Sequence, residues 1–92
     1  MLLERRPRPG FAPWRYERNL NLRVTAEYLE RCAETLGLEG FTCSHETVRL
    51  ICLPFGDPRR RFPAADLLAA IGELTNGEIT PRHFHEPQQA AA

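Results

Sequence analysis

The apolar residues of segment 25–37 recur at helical spacing. They occupy positions i, i+3, i+4 and i+7 of one helix face, namely Leu29, Cys32, Ala33 and Leu36. Thr25 is a suitable N-cap, and Gly37 tolerates the left-handed backbone with which many helices end. The segment therefore predicts an amphipathic helix that buries one face in a core.

A second helical pattern begins at residue 63 or 64 and ends at the stop signal Thr75-Asn76-Gly77. One face of this predicted helix is apolar and carries Leu67, Ile71 and Leu74. Thr80 followed by Pro81 then predicts a single helical turn capped by the threonine.

The apolar run at residues 47–53 fits either a helix or a strand. As a helix it is capped by Ser44 and has an apolar stripe made of Val48, Ile51, Cys52 and Phe55. As a strand it is β-branched and apolar enough for the centre of a buried sheet. The charges at Glu46 and Arg49 favour the helix. We therefore expect a mainly α fold, a small helical bundle of the helix-turn-helix type, with an α+β fold as the alternative.

Residues 1–19 contain three Pro, one Gly and five Arg. Because each Pro disfavours the α region at the preceding residue, this segment predicts an extended, flexible basic arm. Its aromatic residues Phe11, Trp14 and Tyr16 would either dock partly on the core or stack on the bases of a nucleic acid. We expect a single small helical domain over residues 20–86 and a disordered tail over residues 87–92.

The chain has 92 residues and a net charge of zero, so no overall electrostatic field indicates a nucleic-acid partner. The charges are unevenly distributed, because residues 1–23 carry six Arg and two Glu while residues 24–56 carry two Arg and five Glu. The three cysteines have no framework spacing, and no signal-peptide pattern or membrane-spanning run occurs. These features predict a cytoplasmic protein with reduced thiols and no membrane association.

Metal and catalytic chemistry have little support in the sequence. Zinc accepts Cys and His ligands, but the two i, i+2 pairs in this chain have a spacing atypical of structural zinc sites. These pairs are Cys43 with His45 and His83 with His85. The chain has no Gly-rich phosphate loop, nucleophile elbow or carboxylate pair, and it is short for a substrate pocket. We expect no metal, no cofactor, no catalytic residues and no enzymatic activity.

A Pro-led helix containing Ile71 is followed by the stop at residues 75–77, by Glu78-Ile79, by the turn Thr80-Pro81 and by Phe84. This segment resembles the closing part of Cro/repressor-type and YdaS-like helix-turn-helix proteins of phages and bacteria. Ahead of it, residues 44–48 (SHETV) are similar to the start of the recognition helix in that family. The link between the two predicted helices is longer than the family's usual turn.

The resemblance implies a small prokaryotic or phage transcriptional regulator that binds double-stranded operator DNA. Residues 44–53 would form the recognition helix in the major groove, where an Arg can contact guanine and a Glu can accept a hydrogen bond from cytosine. The residues implied at base edges are Ser44, His45, Glu46 and Arg49. Those implied at phosphates are Arg59, Arg60 and Arg61. The basic arm and formation of a homodimer would add affinity.

An alternative function is a non-enzymatic protein-binding module, such as an antitoxin-like or inhibitor protein of a mobile element. The helix predicted at residues 25–37 has an acidic face next to the basic arm, and this arrangement suits an electrostatically steered protein partner. The acidic residues of that face are Glu27, Glu30 and Glu34.

Overall fold

Four α-helices and one 3-10 helix make up the computed structural model, which describes residues 10–85. The elements are α1 (Phe11–Glu17), α2 (Leu22–Thr35), α3 (His45–Ile51), α4 (Ala65–Leu74) and the 3-10 helix Pro81–Phe84. No residue between 10 and 85 belongs to a strand. The predicted mainly α fold, a small helical bundle, is confirmed, and the α+β alternative with a strand at residues 47–53 is wrong.

Helix α2 is the centre of the bundle, because it packs against both α3 and α4. The predicted apolar faces of these helices form the core. Its residues from the three helices are Leu29 and Ala33 of α2, Val48 and Ile51 of α3, and Leu67, Ala70 and Ile71 of α4. The predicted stripe of α2 ends before Leu36, which is 41% exposed where the chain leaves the helix.

Helix α2 begins earlier than the sequence pattern predicts. Its N-cap is Asn21, whose side chain accepts a hydrogen bond from the backbone N–H of Val24 at 2.8 Å. Thr25 is not the cap but lies one turn inside the helix, where its buried hydroxyl donates to the carbonyl of Asn21 at 2.7 Å. At the other end, Gly37 has a φ of 75°, so it ends the helix in the predicted left-handed conformation.

The chain reverses after α4 at the predicted stop signal. Asn76 and Gly77 both have left-handed backbone conformations, with φ values of 55° and 84°. The buried hydroxyl of Thr75 donates to the carbonyl of Ile71 at 2.8 Å and accepts from the N–H of Ile79 at 3.1 Å. These two hydrogen bonds fix the segment that leads into the 3-10 helix at the predicted Thr80-Pro81 turn.

The prediction of an extended arm over residues 1–19 is wrong for its second half. Residues 11–17 form α1, and this helix buries Phe11, Trp14 and Arg15. Pro13 is compatible with the helix because it lies in the first turn, where backbone N–H groups have no partner within the helix. The rest of the predicted arm, residues 1–9, and the tail predicted at residues 87–92 lie outside the described residues.

Within residues 10–85, no helix combines the length and the apolar composition that crossing a membrane requires.

Candidate functional site

Helix α3 presents its first turn to solvent. Ser44 is its N-cap, as predicted, because the serine hydroxyl accepts a hydrogen bond from the N–H of Thr47 at 3.2 Å. Ser44, His45 and Glu46 are exposed, whereas Val48 and Ile51 on the opposite side are buried. The helix ends at Ile51 rather than at the predicted residue 53. Local capping and the apolar stripe thus orient the polar residues of α3 outward.

An ion pair links two of the predicted base-contacting residues. The guanidinium of Arg49 donates to both carboxylate oxygens of Glu46, and the Nε–Oε1 distance is 3.0 Å. The hydrogen bond from Arg49 lowers the pKa of Glu46, and the same bond raises the pKa of Arg49. Both side chains are therefore charged at neutral pH and largely neutralise each other, which leaves α3 with little net charge of its own.

The three consecutive arginines 59–61 occupy different environments. Arg60 is half-buried, and its Nε donates to the carbonyl of Leu53 at 3.1 Å while its Nη2 donates to the carbonyl of Phe84 at 2.8 Å. Its guanidinium also lies 4.2 Å from the centre of the Phe55 ring. Arg60 therefore connects the loop after α3 to the 3-10 helix, and its donors are used within the fold.

The other two arginines of this triplet are exposed and lie beside α3. Arg59 pairs with Asp57 at 3.2 Å, and it is close enough to Glu46 to lower the pKa of that carboxyl together with Arg49. Arg61 borders a separate cavity that also contains Thr47 of α3. We call the exposed group that these residues form the α3 surface. It consists of Ser44, His45, Glu46, Arg49, Arg59 and Arg61.

The four Cys and His residues weighed as zinc ligands have other partners or surroundings. The backbone N–H of Cys43 donates to Glu30 at 2.9 Å, and Nδ1 of His83 accepts from the N–H of Thr80 at 2.9 Å. The His85 ring packs 4.8 Å from the Phe62 ring. Among the described residues, no three Cys, His, Asp or Glu side chains come together as a potential metal site.

The thiol of Cys43 should make the stability of the fold sensitive to alkaline pH. Burial, followed by the charge of Glu30, raises the pKa of Cys43 from 9.0 to about 11. The unfolded chain therefore ionises first, so this contribution is intact below pH 9 and is lost as the pH rises towards 11. We expect the free energy of unfolding of the Cys43→Ala variant to fall less between pH 8.5 and 10.5 than that of the unmodified chain, by about 1–2 kcal/mol. Urea unfolding at the two pH values measures this difference.

Cys32→Ala is the matched control, because burial and Glu73 also raise the pKa of Cys32 but this residue is only half-buried. We expect it to keep most of the pH dependence. An equal alkaline loss of stability in the Cys43→Ala variant and the unmodified chain would contradict the assignment.

The sequence analysis missed a groove between α1 and the C-terminal end of α3. This α1–α3 groove has a volume of about 660 Å³ and is lined by residues that include Arg15, Leu20, Leu22, Arg49, Cys52 and Leu53. No sequence signal marked it, because Arg15 was assigned to a flexible arm and Leu20 and Leu22 belong to no predicted element. The groove shares Arg49 with the α3 surface.

No family model matches the chain, and neither a curated protein nor a solved structure matches it. The resemblance of residues 44–84 to helix-turn-helix proteins therefore stays a prediction.

Proposed function

We propose that this chain is a small DNA-binding transcriptional regulator of a prokaryote or phage, which presents α3 to the major groove of double-stranded DNA. The observation that supports the proposal best is the composition of the α3 surface. A capped first turn with exposed Ser44, His45 and Glu46 lies next to Arg49 and Arg59. Side chains of these types can contact base edges and phosphates, and the N-terminal residues of a recognition helix commonly do so.

Arg49 would change partners when DNA binds. In the free protein it is paired with Glu46 at a site that solvent reaches, so the pair contributes little to stability and is easily exchanged. Bound to DNA, Arg49 could donate to the O6 and N7 atoms of a guanine, while Glu46 could accept from the N4 amino group of a cytosine. Ser44 and His45 would flank these contacts from the first turn of the helix.

Phosphate contacts fall to Arg59 and Arg61 in this proposal. Arg60 was implied at a phosphate as well, but its hydrogen bonds to the carbonyls of Leu53 and Phe84 suit a role in holding the loop. Because the chain has no net charge, we expect affinity to depend on Arg5, Arg6 and Arg8 and on a homodimer that binds two half-sites. The proposed regulator needs no cofactor. It acts in the cytoplasm, where free thiols such as those of its three cysteines stay reduced.

Binding to duplex DNA at increasing salt tests the proposal. The double variant Arg59→Ala/Arg61→Ala should bind more weakly than the unmodified chain at low salt. Its plot of log affinity against log salt concentration should be flatter by about 2, because two phosphate contacts release fewer counterions. Fluorescence anisotropy of a labelled mixed-sequence duplex measures both quantities.

The control variant Arg31→Ala/Arg82→Ala removes the same charge from exposed arginines of α2 and the 3-10 helix. It should keep most of the salt dependence, since its arginines lie outside the α3 surface. Two results would refute the proposal. One is the absence of any anisotropy change at low salt, and the other is an equal loss of affinity in both double variants.

A protein-binding module without DNA affinity is the second candidate, and the exposed side of α2 favours it. Glu27 and Glu34 are exposed there next to Tyr28, which leaves 37% of its surface open. Glu30 belongs to this acidic group only in part, because it is half-buried and accepts the N–H of Cys43. An acidic patch around a tyrosine suits a basic protein partner. Failure of the DNA-binding test with a fully folded protein would put this candidate first.

A further inference from the structure

Arg15 is a buried cation without a counter-ion among the described residues. Only 3% of its surface is exposed, and its Nη1 donates to the carbonyl of Leu20 at 3.0 Å. Its Nε is buried and has no hydrogen-bond partner. The ion pairs found within residues 10–85 involve Arg18, Arg49 and Arg59, each with a carboxylate, but not Arg15. Since burying an unpaired charge is costly, this arrangement favours a negative group supplied from outside.

The neighbouring groups of Arg15 do not supply that negative charge. The guanidinium carbon lies 5.1 Å from the centre of the Tyr16 ring, and such a contact offsets only part of the cost of burial. Cys52 is close enough for Arg15 to favour its thiolate. Burial outweighs that influence, however, and raises the pKa of Cys52 above its ordinary value, so its thiol stays neutral at pH 7.

The α1–α3 groove combines this cation with apolar walls. Arg15 and Arg49 both line the groove, and its apolar walls come from Leu20, Leu22, Leu53 and Pro54. Its volume of about 660 Å³ is of the size that binds small organic molecules. An inorganic anion would leave the apolar walls uncovered, whereas a neutral apolar molecule would leave Arg15 without a counter-ion. A molecule with both an anionic group and an apolar body satisfies both parts of the groove.

We propose that the α1–α3 groove is a binding site for a small organic carboxylate with an apolar body. Its carboxylate lies at the Arg15 side of the groove, and its apolar body covers Leu22 and Leu53. This site is separate from the proposed DNA contacts and does not depend on them, although Arg49 borders both.

Titration with 4-phenylbutyrate and with its neutral amide, 4-phenylbutanamide, tests the charge requirement. Two-dimensional NMR spectra of the full chain follow the backbone amides of groove residues such as Leu20, Cys52 and Leu53. We expect saturable shifts at these residues with the acid, and affinity at least about tenfold lower for the amide, which corresponds to the loss of one favourable charge interaction. No saturable shift with the acid, or equal affinity for the two compounds, would overturn the proposal.

A matched pair of variants locates the site without disturbing Arg15, whose replacement would also remove its hydrogen bond to Leu20. Asn19 lines the groove, is exposed and has a left-handed backbone with a φ of 57°. Asn76 is also exposed and has a φ of 55°, but it lies after α4. Asp tolerates this conformation about as well as Asn, so both replacements preserve the backbone.

The Asn19→Asp variant should bind 4-phenylbutyrate several-fold more weakly, because the new carboxylate at the groove repels that of the ligand. The Asn76→Asp variant should bind it as the unmodified chain does, since screening by salt removes most of the effect of a distant charge. Equal affinities of the two variants would place the ligand elsewhere on the protein and would refute this site.

Discussion

Replacing Phe11 with alanine should lower the free energy of unfolding by about 3–5 kcal/mol, the usual cost of truncating a buried phenylalanine. Phe11 is 3% exposed, and its ring lies 6.0 Å from that of Trp14 and 6.3 Å from that of Phe84. The replacement therefore removes the contact through which α1 docks on the 3-10 helix. Urea-induced unfolding followed by circular dichroism measures the loss.

Tyr16→Ala is the control for this prediction, because Tyr16 is an aromatic residue of the same helix and is 69% exposed. We expect it to change the free energy of unfolding by no more than about 0.5 kcal/mol. Equal effects of the two replacements would mean that residues 11–17 do not dock on the bundle. The extended arm predicted from the sequence would then describe these residues correctly.

The helices that the sequence predicted are those whose signals are local. Ser44 caps α3, and left-handed residues follow α2 and α4, as the pattern of polar, apolar and Gly positions indicated. Helix α1 lacks such signals, since it has seven residues and no side-chain cap. Its stability comes instead from burying Phe11 and Trp14 against residues far along the chain. A one-dimensional pattern does not contain that information.

The candidate site divides in the same way. The polar residues of the first turn of α3 could be predicted to face outward, because the apolar stripe opposite them faces the core. The different roles of Arg59, Arg60 and Arg61 could not be predicted. Arg60 reaches the carbonyl of Phe84, which lies 24 residues further along the chain, and this contact exists only once the bundle has formed. The α1–α3 groove was missed for the same reason, because it depends on the docking of α1.

Replacing Arg60 with alanine should lower the free energy of unfolding by about 2–3 kcal/mol, although the residue lies in a charged loop. A hydrogen bond from a charged donor contributes about 1.5–3 kcal/mol, and Arg60 donates to both Leu53 and Phe84. Its removal also uncovers the ring of Phe55, over which the guanidinium lies. Urea unfolding measures the loss, and Arg59→Ala is the control. Its exposed pair with Asp57 should contribute less than about 1 kcal/mol.

The same two variants separate a structural effect from a DNA-binding effect. If Arg59 contacts phosphate and Arg60 holds the loop, Arg59→Ala should weaken DNA binding without a matching loss of stability. Arg60→Lys should recover only part of the stability lost in Arg60→Ala, because an ammonium group cannot donate to two separate carbonyls with the geometry of a guanidinium. Full recovery with lysine would show that the positive charge of residue 60, rather than its two hydrogen bonds, stabilises the loop. Arg60 would then be available to phosphate like its two neighbours.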